Sequence, residues 1–112
     1  MASPILVLST ASSRKEALKI ADVLLTKRLA ACVNIVPSVT SLYWWKGRKE
    51  KASEVLLLIK TKKSVFKKME LALRKSHSYT IPEMIALPMT AGSKPYLKWM
   101  LKEIDTRLSA VL

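Results

Sequence analysis

The chain predicts an α+β domain in which strands alternate with amphipathic helices. Three observations carry this. A short apolar, β-branched run, Pro4 to Ala11, opens the chain. Two stretches, 14–29 and 63–76, repeat their apolar residues at helical spacing. Between them lie two long extended segments, 32–45 and 50–61, separated by Lys46-Gly47-Arg48-Lys49.

Residues 4–11 read as a buried strand. Ser13-Arg-Lys-Glu16 reads as a capping box, with Ser13 as N-cap and Glu16 reaching back. Ala17, Ile20, Ala21, Leu24, Leu25 and Leu29 then form one helical face. Ala30 and Ala31 are small enough for the chain to leave that helix and pack closely. In the strand 32–45, Pro37 cannot donate a ladder hydrogen bond, so a bulge or an edge is expected there. The returning strand has its buried end at Val55–Ile59. The second helix turns Val65, Phe66, Met69, Ala72 and Leu73 inward. A fourth strand follows at 84–89, and a third helix at 94–108 has Leu97, Met100, Leu101, Ile104 and Leu108 on its inner face.

The order β-α-β-β-α-β plus a terminal helix is the split βαβ, ferredoxin-like arrangement, one domain over 1–112 with helices on one sheet face. No elements are left for the other face, so oligomerisation is expected. Fourteen extended residues reach roughly 46 Å. A globule of this length is about 34 Å across, so the hairpin must bend at Pro37 or project. Trp44 and Trp45 are adjacent and point to opposite faces of their strand. With Tyr43 they make an aromatic tip suited to docking on another subunit. Trp99 and Tyr96 are expected to pack on the sheet or on a neighbouring chain.

The 112 residues carry twenty Lys and Arg against eight Asp and Glu, a net charge of +12. The positive residues are dispersed, with no arginine-rich arm, so solvated helix faces and turns explain them better than nucleic-acid binding. The single cysteine, Cys32, excludes an intramolecular disulfide framework and a one-chain cysteine zinc cluster. With no targeting segment and no apolar run of membrane-spanning length, a cytoplasmic location is expected. There is no glycine-rich phosphate loop, the chain having only Gly47 and Gly92, and no Ser/His/Asp set, so an enzyme is not expected.

His77-Ser-Tyr-Thr-Ile-Pro-Glu83 holds the only histidine beside a phenol and a carboxylate, the groups that ligate metals or move protons near neutral pH. His77 is the candidate metal ligand; the alternative is a histidine that fixes the helix-to-strand turn by hydrogen bonds. Cys32 is a weaker metal candidate, since a free cysteine is more often a packed hydrophobe.

The chain resembles the CutA family of divalent-cation-tolerance proteins. The matching residues are Arg28-Leu-Ala-Ala-Cys-Val-Asn-Ile-Val-Pro37, Ser41-Leu-Tyr-Trp-Trp-Lys-Gly47, Glu54 and Ile59-Lys60-Thr61. They continue with His77, Tyr79, Pro82-Glu83, Ile85-Ala-Leu-Pro88, Gly92 and Tyr96-Leu-Lys-Trp99, covering nearly the whole chain. The resemblance implies a ferredoxin-like monomer in a tight homotrimer built through the hairpin, with an architecture similar to PII signal proteins. It implies tolerance of divalent metals, copper above all, and no established reaction. Copper sites in some bacterial members use a first-strand cysteine and two histidines before the Tyr; here those positions read Ser9 and Ser76-His77.

The expected protein is therefore a homotrimeric binding module for divalent-cation tolerance. No cofactor is obligatory, and Cu(II) or another divalent metal is the expected ligand. Its expected site is an inter-subunit cleft around His77, Tyr79 and Glu83, with Lys60 and Trp45 nearby. A PII-like sensor of a small anion and a structural trimeric scaffold are the alternatives.

Overall fold

A computed structural model, which describes residues 3–104, builds the chain from seven elements. They are β1 (Pro4–Ala11), α1 (Arg14–Thr26), β2 (Cys32–Trp45), β3 (Arg48–Lys62), α2 (Phe66–Ser76), β4 (Ile85–Pro88) and α3 (Lys94–Glu103). A 3₁₀ turn at Lys63–Val65 leads into α2. The strands form one antiparallel sheet in the order β2-β3-β1-β4. This is the split βαβ, ferredoxin-like arrangement.

Strand alternation gives the sheet two different faces. Opposed residues of an antiparallel pair share a face. Val7 lies opposite Ile59 and Ser9 opposite Leu57, all buried toward the helices. Ile20 and Leu24 of α1 and Met69 and Leu73 of α2 close over them without solvent exposure. The alternate row, Leu6, Leu8, Leu56 and Leu58, is only half-buried. Ile85 and Leu87 continue that row on β4, 51% and 43% exposed. The second sheet face is thus apolar and partly open to solvent.

Local chemistry sets the boundaries. Ser13 caps α1 by accepting the Glu16 N–H at 3.1 Å. The Glu16 carboxylate reaches back to the Ser12 N–H at 3.0 Å, one residue earlier than the capping box predicts. Helix α1 stops at Thr26, three residues short of the expected 29. Arg28 takes a left-handed φ of 57°, and the Arg28 and Leu29 N–H groups return to the Leu25 and Leu24 carbonyls. That pair of bonds is a Schellman ending, here without its usual glycine. Arg28 is also ion-paired to Glu103 of α3 at 2.8 Å.

The hairpin turn is tighter than predicted. Lys46 and Gly47 both have positive φ, and Trp45 faces Arg48. A two-residue loop of this kind matches strand twist, so β3 starts at Arg48 rather than Glu50. The expected irregularity at Pro37 is present: the register shifts between Val36 and Val39. The longest dimension is 43 Å, consistent with a projecting hairpin, and Trp44 at its tip is 71% exposed. On α3, Met100 and Ile104 are buried while Leu97 and Leu101 are half-buried. Leu108, expected on the same face, lies outside the described residues.

Leu57, with no exposed surface, lies opposite Ser9 on the covered face of the sheet. Leu57→Ala is expected to destabilise the fold by about 2–5 kcal/mol through lost burial and a residual cavity. A shift of the urea midpoint measures it.

Candidate functional site

The loop from His77 to Met84 must return the chain from α2 to β4, and it is fastened at both ends. His77 Nε2 lies 2.7 Å from the Thr10 carbonyl, and the Tyr79 N–H donates to His77 Nδ1 at 3.0 Å. A carbonyl only accepts and an N–H only donates, so the ring is the neutral tautomer with its proton on Nε2. The Ser78 N–H donates to Glu16 Oε2 at 2.8 Å, joining the loop to the start of α1. At the far end, the buried Ser9 hydroxyl donates to the Glu83 carbonyl at 2.7 Å. The Ser9 hydroxyl therefore has a structural partner in the loop itself.

Tyr79 then reaches over the sheet and donates from its hydroxyl to Glu54 Oε2 at 2.8 Å. Burial, then this bond and the Glu54 charge, push the phenol well above its ordinary range and keep it neutral. The rings of His77 and Tyr79 lie 4.6 Å apart at a 45° tilt.

The bulge at Pro37 decides what joins them. Before it, even-numbered residues of β2 share the open face, Val36 lying opposite Leu56. After it, odd-numbered residues do: Val39 lies opposite Glu54, Tyr43 opposite Glu50 and Trp45 opposite Arg48. One inserted residue turns Tyr43 and Trp45 to the same face as Glu54. Together with Thr10, Tyr79 and Glu83 they line an open cavity of about 590 Å³. Its charged lining is Glu54 and Glu83 alone; no Lys or Arg lines it, in a chain of net charge +12. Carboxylate, hydroxyl and phenol oxygens line it beside aromatic rings.

The predicted site residues divide accordingly. Trp45, Tyr79 and Glu83 meet at the cavity, with Tyr43 beside them. His77 braces the cavity from behind. Both of its ring nitrogens are engaged, so it offers no lone pair to a metal in this conformation, against the ligand role expected of it. Lys60 stands apart within the chain: it donates to Asn34 and lies over the Tyr96 ring at 5.8 Å. It faces Leu6 on β1, four residues from Thr10, or about 13 Å along the strand. The expected meeting of Lys60 with Glu83 therefore does not occur within one chain.

Cys32 is half-buried in the Lys60 row, its sulfur 3.9 Å from the Asn34 amide oxygen. It is too far along the sheet to share a metal with His77 in one chain. Among the described residues no group of three or more His, Cys, Asp or Glu is arranged to hold a metal. Trp44 is exposed, and Trp99 is 42% exposed and packs on Tyr96, ring centres 5.4 Å apart. Glu54, Thr10 and Glu16 are the contributors that the sequence reading did not assign to the site. The period-2 spacing of Glu54 with Leu56 and Leu58 was the available signal.

A four-stranded antiparallel sheet with helices on one face and a hairpin-lined acidic cavity on the other defines the class: a ferredoxin-like α+β fold. The family of the CutA1 divalent ion tolerance protein matches residues 5–103, and the chain belongs to that family. The divalent-cation tolerance protein CutA of Thermus thermophilus is 46% identical, over 84% of this chain and 91% of its own length. The chloroplastic protein CutA of Arabidopsis thaliana is 43% identical over 86% of this chain, but the match spans only 53% of that relative. Among solved structures, the Thermus thermophilus divalent cation tolerance protein superposes with a TM-score of 0.89 at 42% identity, covering 91% of this chain and 99% of that one. The periplasmic divalent cation tolerance protein CutA of Archaeoglobus fulgidus gives 0.88 at 37% identity, with 91% and 99% covered.

Glu16 supplies a pH prediction. Burial alone would raise its carboxyl, but the bonds from Ser12 and Ser78 outweigh it and lower the group from 4.5 to about 2. A carboxyl depressed in the folded state stabilises above its unfolded value, so this contribution is complete above pH 4.5 and fades as pH falls toward about 2. Because Glu16 is partly solvated, the contribution is about 1 kcal/mol. In urea melts between pH 5.5 and 2.5, Glu16→Gln should lose part of the acid sensitivity of the parent chain.

Proposed function

We propose that the chain is a homotrimeric module of divalent-cation tolerance that works by binding rather than by catalysis, with the cation held in the cavity of Trp45, Glu54, Tyr79 and Glu83. The observation that carries this reading is the acid-only charged lining of that cavity in a strongly basic chain. Oxygen donors suit Cu(II) or a harder divalent ion better than Cu(I), which prefers sulfur. Two carboxylates make a weak site alone, so a neighbouring subunit is expected to complete it. The open apolar row of Leu6, Leu8, Leu56, Leu58, Ile85 and Leu87 supports association, since such a face is normally covered. Exposed Trp44 and half-exposed Trp45 and Trp99 add docking area.

No described helix is long and apolar enough to cross a membrane. A cytoplasmic location is part of the proposal; relatives carry chloroplastic and periplasmic names. The acidic lining argues against a small anion at this cavity, which leaves the PII-like reading without support there.

Three measurements check the proposal. Sedimentation should give three times the chain mass, and Leu8→Glu with Leu58→Glu should dissociate it; a monomeric parent chain would sink the trimer. Calorimetry with Cu(II) and Mn(II) should show binding that falls by about tenfold or more when Glu54 and Glu83 are both changed to Gln. His77→Ala should lower the melting temperature far more than it changes the number of ions bound. Equal affinity in the Glu54→Gln/Glu83→Gln chain would remove the cavity as the site.

A further inference from the structure

Another groove lies on the opposite, helical side, and it has the reverse polarity. Four residues of α2, Lys68, Leu71, Ala72 and Lys75, are spaced i, i+3, i+4, i+7 and so share one helix face. They form one wall of a groove of about 370 Å³ whose other wall is Thr26, Lys27 and Leu29 at the end of α1. Leu29 and Ala72 are almost fully buried and make an apolar floor, while Leu71 is 53% exposed at the rim. The Ser78–Glu16 bond joins the end of α2 to the start of α1, so the two helices run antiparallel. Lys27 therefore lies toward the Lys68 end, with Lys75 two turns further on, about 10 Å along the helix.

No carboxylate lines this groove. Among the described residues the one ion pair is Arg28–Glu103, so Lys27, Lys68 and Lys75 have no acidic partner there. The first turn of α2 carries no acidic residue either. Residues 14–29 and 63–76 together hold ten Lys and Arg against Glu16, Asp22 and Glu70. The volume falls within the range of about 300–1,000 Å³ usual for small-molecule sites.

We propose that this groove binds an acidic amphiphile: one carboxylate or phosphate head group on a hydrocarbon chain. Lys27 and Lys68 clamp the head. The chain lies along Leu29, Leu71 and Ala72 toward Lys75. Head and chain are both required, because surface lysines alone hold an anion weakly in water and a small apolar strip alone has no preference for charge. The site is independent of the acidic cavity and does not rest on the metal-binding reading.

Calorimetry on the full chain, with ligands kept below micelle-forming concentration, tests it. Decanoate and decyl phosphate should bind one per chain. Acetate, inorganic phosphate and decyltrimethylammonium should not. Lys27→Glu with Lys68→Glu should weaken decanoate by about tenfold or more, with the melting curve unchanged because both side chains are exposed. Leu71→Ser, a surface change that leaves every lysine in place, should weaken decanoate and not alter the response to acetate. The proposal is overturned if acetate or phosphate binds as well as the amphiphile, or if the cationic amphiphile binds equally. Undiminished binding in the double charge reversal, or binding to phosphatidylserine vesicles with none to monomeric decanoate, overturns it as well.

Discussion

A four-stranded sheet in this chain has two apolar faces and covers only one of them. The helices α1 and α2 bury the face that carries Val7, Leu57 and Ile59. Among the described residues the row through Leu8, Leu58 and Ile85 is left partly open to solvent. Hydrophobic burial is the largest favourable contribution to folding, so the uncovered row governs how the molecule meets its surroundings. The hairpin belongs to the same constraint. Its strands run past the helical layer, and Trp44 at its tip is left 71% exposed.

The acidic cavity is built on that same open face, through a single register change. Without the extra residue at Pro37-Ser38, strand parity would send Tyr43 and Trp45 to the helical side of the sheet, away from Glu54. With it, the outer half of the hairpin and the inner half present opposite parities to one face. The loop from His77 then supplies Tyr79 and Glu83. Its position depends on hydrogen bonds to Thr10, Ser9 and Glu16, which come from the first strand and the first helix. The cavity is assembled from distant parts of the chain but held by short, local bonds at each junction.

The elements were legible because their signals are local. Helical spacing marked α1 and α2, Ser13 marked a cap, and Pro37 marked the bulge. The boundaries that moved did so for reasons of backbone conformation: Arg28 and Lys46 adopt positive φ, which side-chain pattern does not announce. The site was legible in part. Trp45, Tyr79 and Glu83 line one cavity, whereas the His77 ring meets the Thr10 carbonyl, sixty-seven residues away. Lys60 was placed with Glu83 on the strength of a shared motif series. Such a series orders residues along the chain and says nothing about the strand length that separates Lys60 from Glu54.

Placement of the cavity on the open face has a thermodynamic consequence. Thr10 and Glu54 share that face with Leu8, Leu56 and Leu58, and Thr10 lies directly opposite Leu56. Any molecule seated in the cavity is therefore adjacent to any surface that covers the apolar row. Covering the row excludes water and strengthens the electrostatic attraction between Glu54, Glu83 and a cation. By linkage, a cation that binds the covered state more tightly favours that state by the same free energy. The bulge at Pro37, by turning Tyr43 and Trp45 to the face that carries Glu54, sets the cavity beside the apolar row.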